Sequence, residues 1–264
     1  LSGGGRLIAG DLTIELRRLY EPSKKFGEVS PLVYPVTVCP DCYYAAFKEH
    51  FLAIPEKSLD AAREARDKRI QATEKVFGAL NFTAPRGFKE GLASYWLALH
   101  CYDFFTKDFA PVALQGICAI RAAWLCNDLE HQHPGENWGH LGRMFYRKAR
   151  YFYTLALEYE QKGVQSIGNV ANMGPDMDKN YAYDGLIYLN GYLEYHFGPK
   201  ANPELRKQKL ERAKRMVARI FGMGKASKSK PMVLLDNARE LYNMIAAALG
   251  QVNADPEADA QEGD

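Results

Sequence analysis

At 264 residues and 47% hydrophobic composition, the chain is long enough to bury one large core or two modest ones. A net charge of +2 supplies no global field to draw it onto nucleic acid or a membrane surface. No apolar run approaches the roughly 18 residues of a membrane span, and the glycine-rich start LSGGGRLIAG lacks the apolar stretch of a signal peptide. The chain opens on Leu1 rather than methionine, so it reads as trimmed. Of its five cysteines, Cys101, Cys118 and Cys126 fall in apolar helical patterns, where reduced core cysteines usually sit. No spacing suggests a secreted disulfide framework, which points to a reducing, cytoplasmic location.

The first 55 residues read as a small α+β module. GDLTIELRRLYEP suggests a short helix that Asp11 or Thr13 could cap. SPLVYPVTV is β-branched and broken by prolines, the texture of an edge strand or hairpin arm. Cys39 and Cys42 follow in a Cys-x-x-Cys knuckle, half of the usual four-ligand zinc set. YYAAFKEHF then looks like the start of a helix.

After Pro55 the strand signals fade. SLDAAREARDKRIQATEKVFGAL predicts a charged helix capped by Ser58, with a thin face of Leu59, Ala62, Ala65, Val76 and Phe77. The next helix carries Phe88, Leu92, Tyr95, Trp96 and Leu99. Pro111 opens another, with Ala113, Ile117, Ile120 and Trp124 on one face. After HPGEN, Asn137 is positioned to cap a long helix bearing Trp138, Leu141, Phe145, Phe152, Leu155 and Tyr159. Trp96, Trp124 and Trp138 are all expected to be largely buried. YAYDGLIYLNGYLEYHFG follows, with Gly191 placed for close helix approach and Ala213 and Ala218 in its partner. The next helix shows a stripe of Leu210, Ala213, Val217 and Ile220, and the last one Leu234, Ala238, Leu241, Ile245 and Leu249. Residues 251–264 form an acidic tail expected to be disordered.

About seven helices in succession, with a pair period near 40 residues, suit a helical-repeat solenoid. The expected architecture is mainly α: tetratricopeptide-like antiparallel helix pairs forming an α-α superhelix over residues 56–250, behind the α+β module of residues 1–55. No single repeat meets the full tetratricopeptide consensus.

GGGRLIAGDLTIELRRLYEPSKKFGEVSPLVYPVTVCPDCYYAAF resembles the N-terminal part of the bacterial domain of unknown function 2225 family. NYAYDGLIYLNGYLEYHFG, KLERAKRMVARIFG and KPMVLLDNARELY are similar to its helical C-terminal half. The family pattern places glycine after the second cysteine, where this chain has Tyr43, and a further Cys-x-x-Cys upstream, which this chain lacks. The resemblance implies a zinc-ribbon-like module, incomplete here, followed by tetratricopeptide-like helices, and it brings no reaction. Zinc is therefore expected of the intact protein, with no cofactor expected of this chain alone.

Other candidate sites compete with plainer readings. NDLEHQHPGENWGH offers His131, His133 and His140 beside carboxylates, the donor types of a metal-dependent hydrolase. Histidines near a helix C-terminus also follow simply from the macrodipole. Asp176 and Asp178 alternate as in a calcium loop, but the required glycine is replaced by Tyr181. Residues 206–230 concentrate basic side chains, among them Arg212, Arg215 and Arg219, which suit an acidic partner or, as a weaker alternative, nucleic acid. Tyr181, Tyr188, Tyr192 and Tyr195 share a helix face that serves either peptide binding or packing between helices. The leading expectation is a non-enzymatic scaffold with a groove for a protein or peptide partner; a homo-oligomer or larger assembly is left open.

Overall fold

The structure, a computed structural model, describes residues 8–22, 24–25, 27, 30–170, 181–221, 230–251 and 256. Among them are eight α-helices and two small two-stranded antiparallel sheets, a mainly α protein with a small strand-bearing N-terminal part. The chain divides into two compact units, Ser30–Ala171 and the pair of segments Leu1–Val29 and Asn172–Asp264. The division does not fall near Pro55. The segment that carries β-strands before Ser30 groups with the C-terminal helices, and the knuckle belongs to the central unit.

The central unit begins with a 3₁₀ turn at Pro31–Val33 and a hairpin of β3 (Val36–Val38) and β4 (Ala45–Phe47), paired as Val36–Phe47, Thr37–Ala46 and Val38–Ala45. Where YYAAFKEHF was expected to start a helix, Ala45–Phe47 is a strand and the residues after it form turns. Ala45, Ala46 and Phe47 are all buried, so tertiary packing overrides the helix preference of two alanines. The remaining N–H groups of β4 are satisfied by side chains: Ala45 donates to Cys101 Sγ at 3.4 Å and Phe47 to the Tyr102 hydroxyl at 3.1 Å.

Helices α1 (Leu59–Glu64) and α2 (Arg66–Phe77) replace the single charged helix expected there, and Ser58 makes no side-chain cap. They are followed by α3 (Phe88–Cys101), α4 (Pro111–Gln132) and α5 (Trp138–Gln161). Every residue from Pro111 to Cys126 is buried, because PVALQGICAIRAAWLC is small or apolar on all sides apart from Gln115 and Arg121. α3 and α5 pack on α4 most extensively of all the helix pairs. A side chain at Gly116 would meet the Tyr153 ring at 2.3 Å, so glycine sets the closeness of α4 and α5. The buried polar groups of α4 are paired: Gln115 donates to the Leu99 carbonyl at 3.0 Å and to Asp103 at 2.7 Å, and Arg121 lies over the Phe47 ring.

In the other unit, β1 (Ile8–Leu12) and β2 (Arg18–Glu21) form a hairpin where a short helix was expected. Its turn closes through Thr13, whose N–H donates to the Arg17 carbonyl at 2.8 Å and whose hydroxyl accepts from the Arg17 N–H. Leu16 at the turn is fully buried. The turn is held by α6 (Ala182–Phe197): Tyr188 donates to the Ile14 carbonyl at 2.8 Å and Tyr192 to Glu15 at 3.2 Å. α6 packs with α7 (Pro203–Ala218) and α8 (Met232–Ala248), which also contact each other. A Cβ at Gly191 would meet Val217 at 2.6 Å and Leu241 at 3.4 Å, so all three helices converge there. The expected stripes of α7 and α8 are buried, except that Leu249 is half-buried. Asn202 caps α7 by accepting from the Leu205 N–H, with Pro203 in the first turn. Arg206 donates to the Glu194 and Tyr195 carbonyls, closing the end of α6.

Candidate metal knuckle and ligand pocket

Cys39 and Cys42 sit in the loop between β3 and β4. The loop is closed by the Cys39 N–H donating to the Tyr44 carbonyl and the Tyr43 N–H to the Cys39 carbonyl, both at 2.9 Å. Tyr43, directly after Cys42, adopts a left-handed conformation with φ of 55°, where a side chain is strained. Its buried ring meets Phe82 edge-on at 5.3 Å. Two effects therefore oppose each other in Tyr43→Gly. Relieving the left-handed backbone returns about 1–2 kcal/mol, while losing a buried aromatic ring costs about 3–5 kcal/mol. The substitution is expected to destabilise the unit by about 1–4 kcal/mol in urea unfolding; a stabilised variant would mean that strain dominates.

Burial opposes ionisation of Cys39, but the Asp41 N–H, the Cys42 thiol and the Cys42 N–H outweigh it and lower its pKa. Cys42 is raised, first by burial and further by the neighbouring Cys39, although the Tyr44 N–H favours its thiolate. Two side chains of α2 fix the loop from behind. Arg66 donates to the Asp41 carbonyl at 3.1 Å, and Arg69 donates twice to the Cys42 carbonyl, at 3.0 and 2.7 Å. Two half-exposed thiols at this spacing match the donor type of a thiophilic ion such as zinc for two of its four positions. Among the described residues no three His, Cys, Asp or Glu side chains converge as metal ligands.

Arg69 also lines a pocket of about 350 Å³ between α2 and α3, whose walls are Ala65, Ala72, Trp96, Leu97 and Phe104. Lys68, His100 and Asp103 complete the lining. The Trp96 ring packs against His100 at 4.7 Å and against Phe77 and Phe145 at 6.1 Å each. Desolvation by the pocket walls and the Lys148 charge lower the pKa of His100, although the residue keeps solvent exposure.

His50 and His196 are lowered as well, chiefly by burial. For all three, the unfolded chain takes up a proton near pH 6.5 and the folded chain only below it. Their contribution to stability is thus complete above pH 6.5 and lost as the pH falls through the folded values. The melting temperature should drop between neutral pH and about one unit below 6.5; an unchanged melting temperature there would contradict the desolvation of the half-buried His50 and His196 rings.

The structure distributes the other expected site residues differently. His131, His133 and His140 are exposed around the α4–α5 connection and do not converge with further ligands. The Glu130 carboxylate beside them accepts the Gly139 N–H at 2.7 Å, so it caps α5 across the loop. Asn137, expected to cap α5, is left-handed with φ of 64° and makes no side-chain cap. Tyr181, Tyr188 and Tyr192 are buried and Tyr195 is half-buried, so these rings pack inside their unit instead of forming an open binding face. Arg215 and Arg219 are exposed and Arg212 is half-buried. Their neighbours Arg206, Lys214 and Lys230 serve the fold: Lys214 lies over Tyr242 and donates to Gln251, and Lys230 pairs with Asp184 at 3.0 Å. Asp176, Asp178, Lys225 and Lys228 lie outside the described residues. Of the three tryptophans only Trp124 is fully buried, while Trp96 and Trp138 are half-exposed. The pocket was not anticipated, although Ala65 and Ala72, seven residues apart on the α1–α2 segment, are small enough to leave room opposite Trp96.

No helix among the described residues is long and apolar enough to cross a membrane. No solved structure matches the chain. An uncharacterized protein of Borreliella burgdorferi is 42% identical over 246 residues, covering 93% of this chain and 88% of that protein. The model of a family described as uncharacterized protein conserved in bacteria (DUF2225) matches residues 1–245. The chain belongs to that family.

Proposed function

We propose that the chain is a non-enzymatic protein-interaction module whose α2–α3 pocket receives an apolar side chain from a partner segment. The pocket's composition carries this reading. Trp96, Leu97, Phe104, Ala65 and Ala72 make an apolar cleft within the size range of ligand pockets. Its polar groups have other work: Asp103 accepts from Gln115, and Arg69 holds the Cys42 carbonyl. His100 is neutral, and the exposed Lys68 is the charge an incoming ligand meets. The matching partner is a segment with one aliphatic or aromatic anchor and an acidic residue beside it.

A random peptide library panned against the whole chain tests the reading. The wild type should enrich an apolar anchor flanked by acid. Ala72→Trp fills the cleft from an exposed helical position and should abolish the enrichment, and Lys68→Glu should reverse the flank preference. No enrichment, or enrichment indifferent to Ala72→Trp, would sink it.

A further inference from the structure

The chain itself carries a segment with the chemistry that the pocket calls for. We infer that the partner of the α2–α3 pocket is the turn of residues 47–53 in a second copy of this chain, with Leu52 as the apolar anchor. The inference rests on the pocket reading above and adds the identity of its ligand.

Leu52 is 91% exposed, the most exposed large apolar side chain among the described residues, so it does not occupy the pocket of its own chain. A single exposed leucine needs no explanation by itself. The frame that holds this one sets it apart. Two consecutive turns carry it: the His50 N–H donates to the Phe47 carbonyl and the Ala53 N–H to the His50 carbonyl, both at 2.9 Å. Leu52 is the third residue of the second turn. The two residues before it are fixed inward. His50 shares a hydrogen bond of 3.0 Å with the Tyr102 hydroxyl, and its ring meets Phe109 edge-on at 5.5 Å. Phe51 packs on Tyr44 at 5.2 Å. A leucine at the tip of so constrained a turn gives up little freedom when it docks, which favours it as an anchor.

Charge and position agree with the pocket. Glu49 and Glu56 are exposed on either side of Leu52 in the sequence, with Lys48 and Lys57 one place further out. The exposed cation at the pocket is Lys68, which either carboxylate complements. His50 packs on Tyr102, Phe105 and Phe109, while His100, Asp103 and Phe104 line the pocket. Turn and pocket thus flank one stretch, residues 100–109, inside the same compact unit. A two-fold axis beside that stretch lets each copy seat its Leu52 in the other, an isologous pair with two equal contacts.

Sedimentation of the full chain under reducing conditions, up to about 1 mM, tests this. The mass of the wild type should double as the concentration rises. Leu52→Asp changes an exposed side chain, so the fold is kept, and it should weaken the pairing about tenfold or more. Ala72→Trp, which fills the pocket, should do the same. Mixed together, the two variants should pair through the one contact left to them, because one offers the leucine and the other the open pocket. A wild type that stays monomeric, a Leu52→Asp chain that pairs as the wild type does, or a mixture that associates no more than either variant alone would each overturn the self-recognition. Peptide panning against Leu52→Asp reads the pocket separately. Enrichment of an apolar anchor beside acid, together with a monomeric wild type, refutes the second copy as partner and leaves the pocket reading intact; no enrichment refutes the pocket itself.

Discussion

Trp124→Ala is expected to lower the unfolding free energy by about 3–5 kcal/mol, a large part of the stability of a domain of this size. Trp124 is 2% exposed and lies in a helix that is buried on every side over its first sixteen residues, Pro111 to Cys126. α3 and α5 both close on that helix. Neither neighbour can collapse into the space without losing its contacts with the rest of α4, so a cavity remains and adds to the lost transfer energy. Trp96→Ala provides the contrast. Its indole is half-exposed and forms a wall of the pocket, so truncation costs less, about 1–2 kcal/mol, and enlarges a space that already opens to water. Urea unfolding of the two variants side by side checks the ranking; equal losses would mean that α4 is not the centre of the unit.

Arg69→Ala is expected to cost a further large amount, about 3–5 kcal/mol, by a different route. The side chain is 9% exposed and makes three charged hydrogen bonds, two to the Cys42 carbonyl and one to the Ala62 carbonyl at 3.2 Å. Removing it leaves two carbonyls without that donor in a partly desolvated place, and hydrogen bonds to charged groups are the strong class. Arg69→Lys should not restore the loss, because an ammonium cannot present two parallel donors to one carbonyl while reaching the other. The knuckle supplies a local readout. Thiol reagents should reach Cys39 and Cys42 faster in both variants, since the loop loses its anchor. Wild-type stability, or unchanged thiol reactivity, would mean that the hairpin holds the loop without α2.

How far the sequence could be read depended on whether a segment's partner was near in the chain. The long helices were legible because their stripes are internal: Leu210, Ala213, Val217 and Ile220 recur at helical spacing whatever packs on them, and all are buried. Gly191 was legible for the same reason, as a small residue in an apolar run, and it does meet Val217. The short segments were not. GDLTIELRRL has helical spacing of leucines, yet Thr13 and Arg17 close a hairpin turn whose stability comes from Tyr188, far along the chain. YYAAF has helix-favouring alanines, yet Cys101 and Tyr102 satisfy its backbone as a strand. The Cys39–Cys42 spacing marked the knuckle, but nothing local pointed to Arg69, twenty-seven residues beyond Cys42, as its clamp. The pocket escaped because it is made of absences, the small side chains of Ala65 and Ala72, which carry no periodic signal.

The unit built from both ends of the chain sets an order of assembly in time. Ile14 and its partner Tyr188 are 174 positions apart, and α8 completes the packing later still. At a translation rate of about 5–20 residues per second, the β1–β2 hairpin waits roughly 10–35 s for α6 to be made. The central unit is continuous, and its helices can close on α4 as they emerge. Throughout that interval Leu16, which ends with no exposure at all, has no native surface to enter. The turn at Leu16 therefore stays without its packing partner until α6 emerges, an interval in which chaperones can hold it.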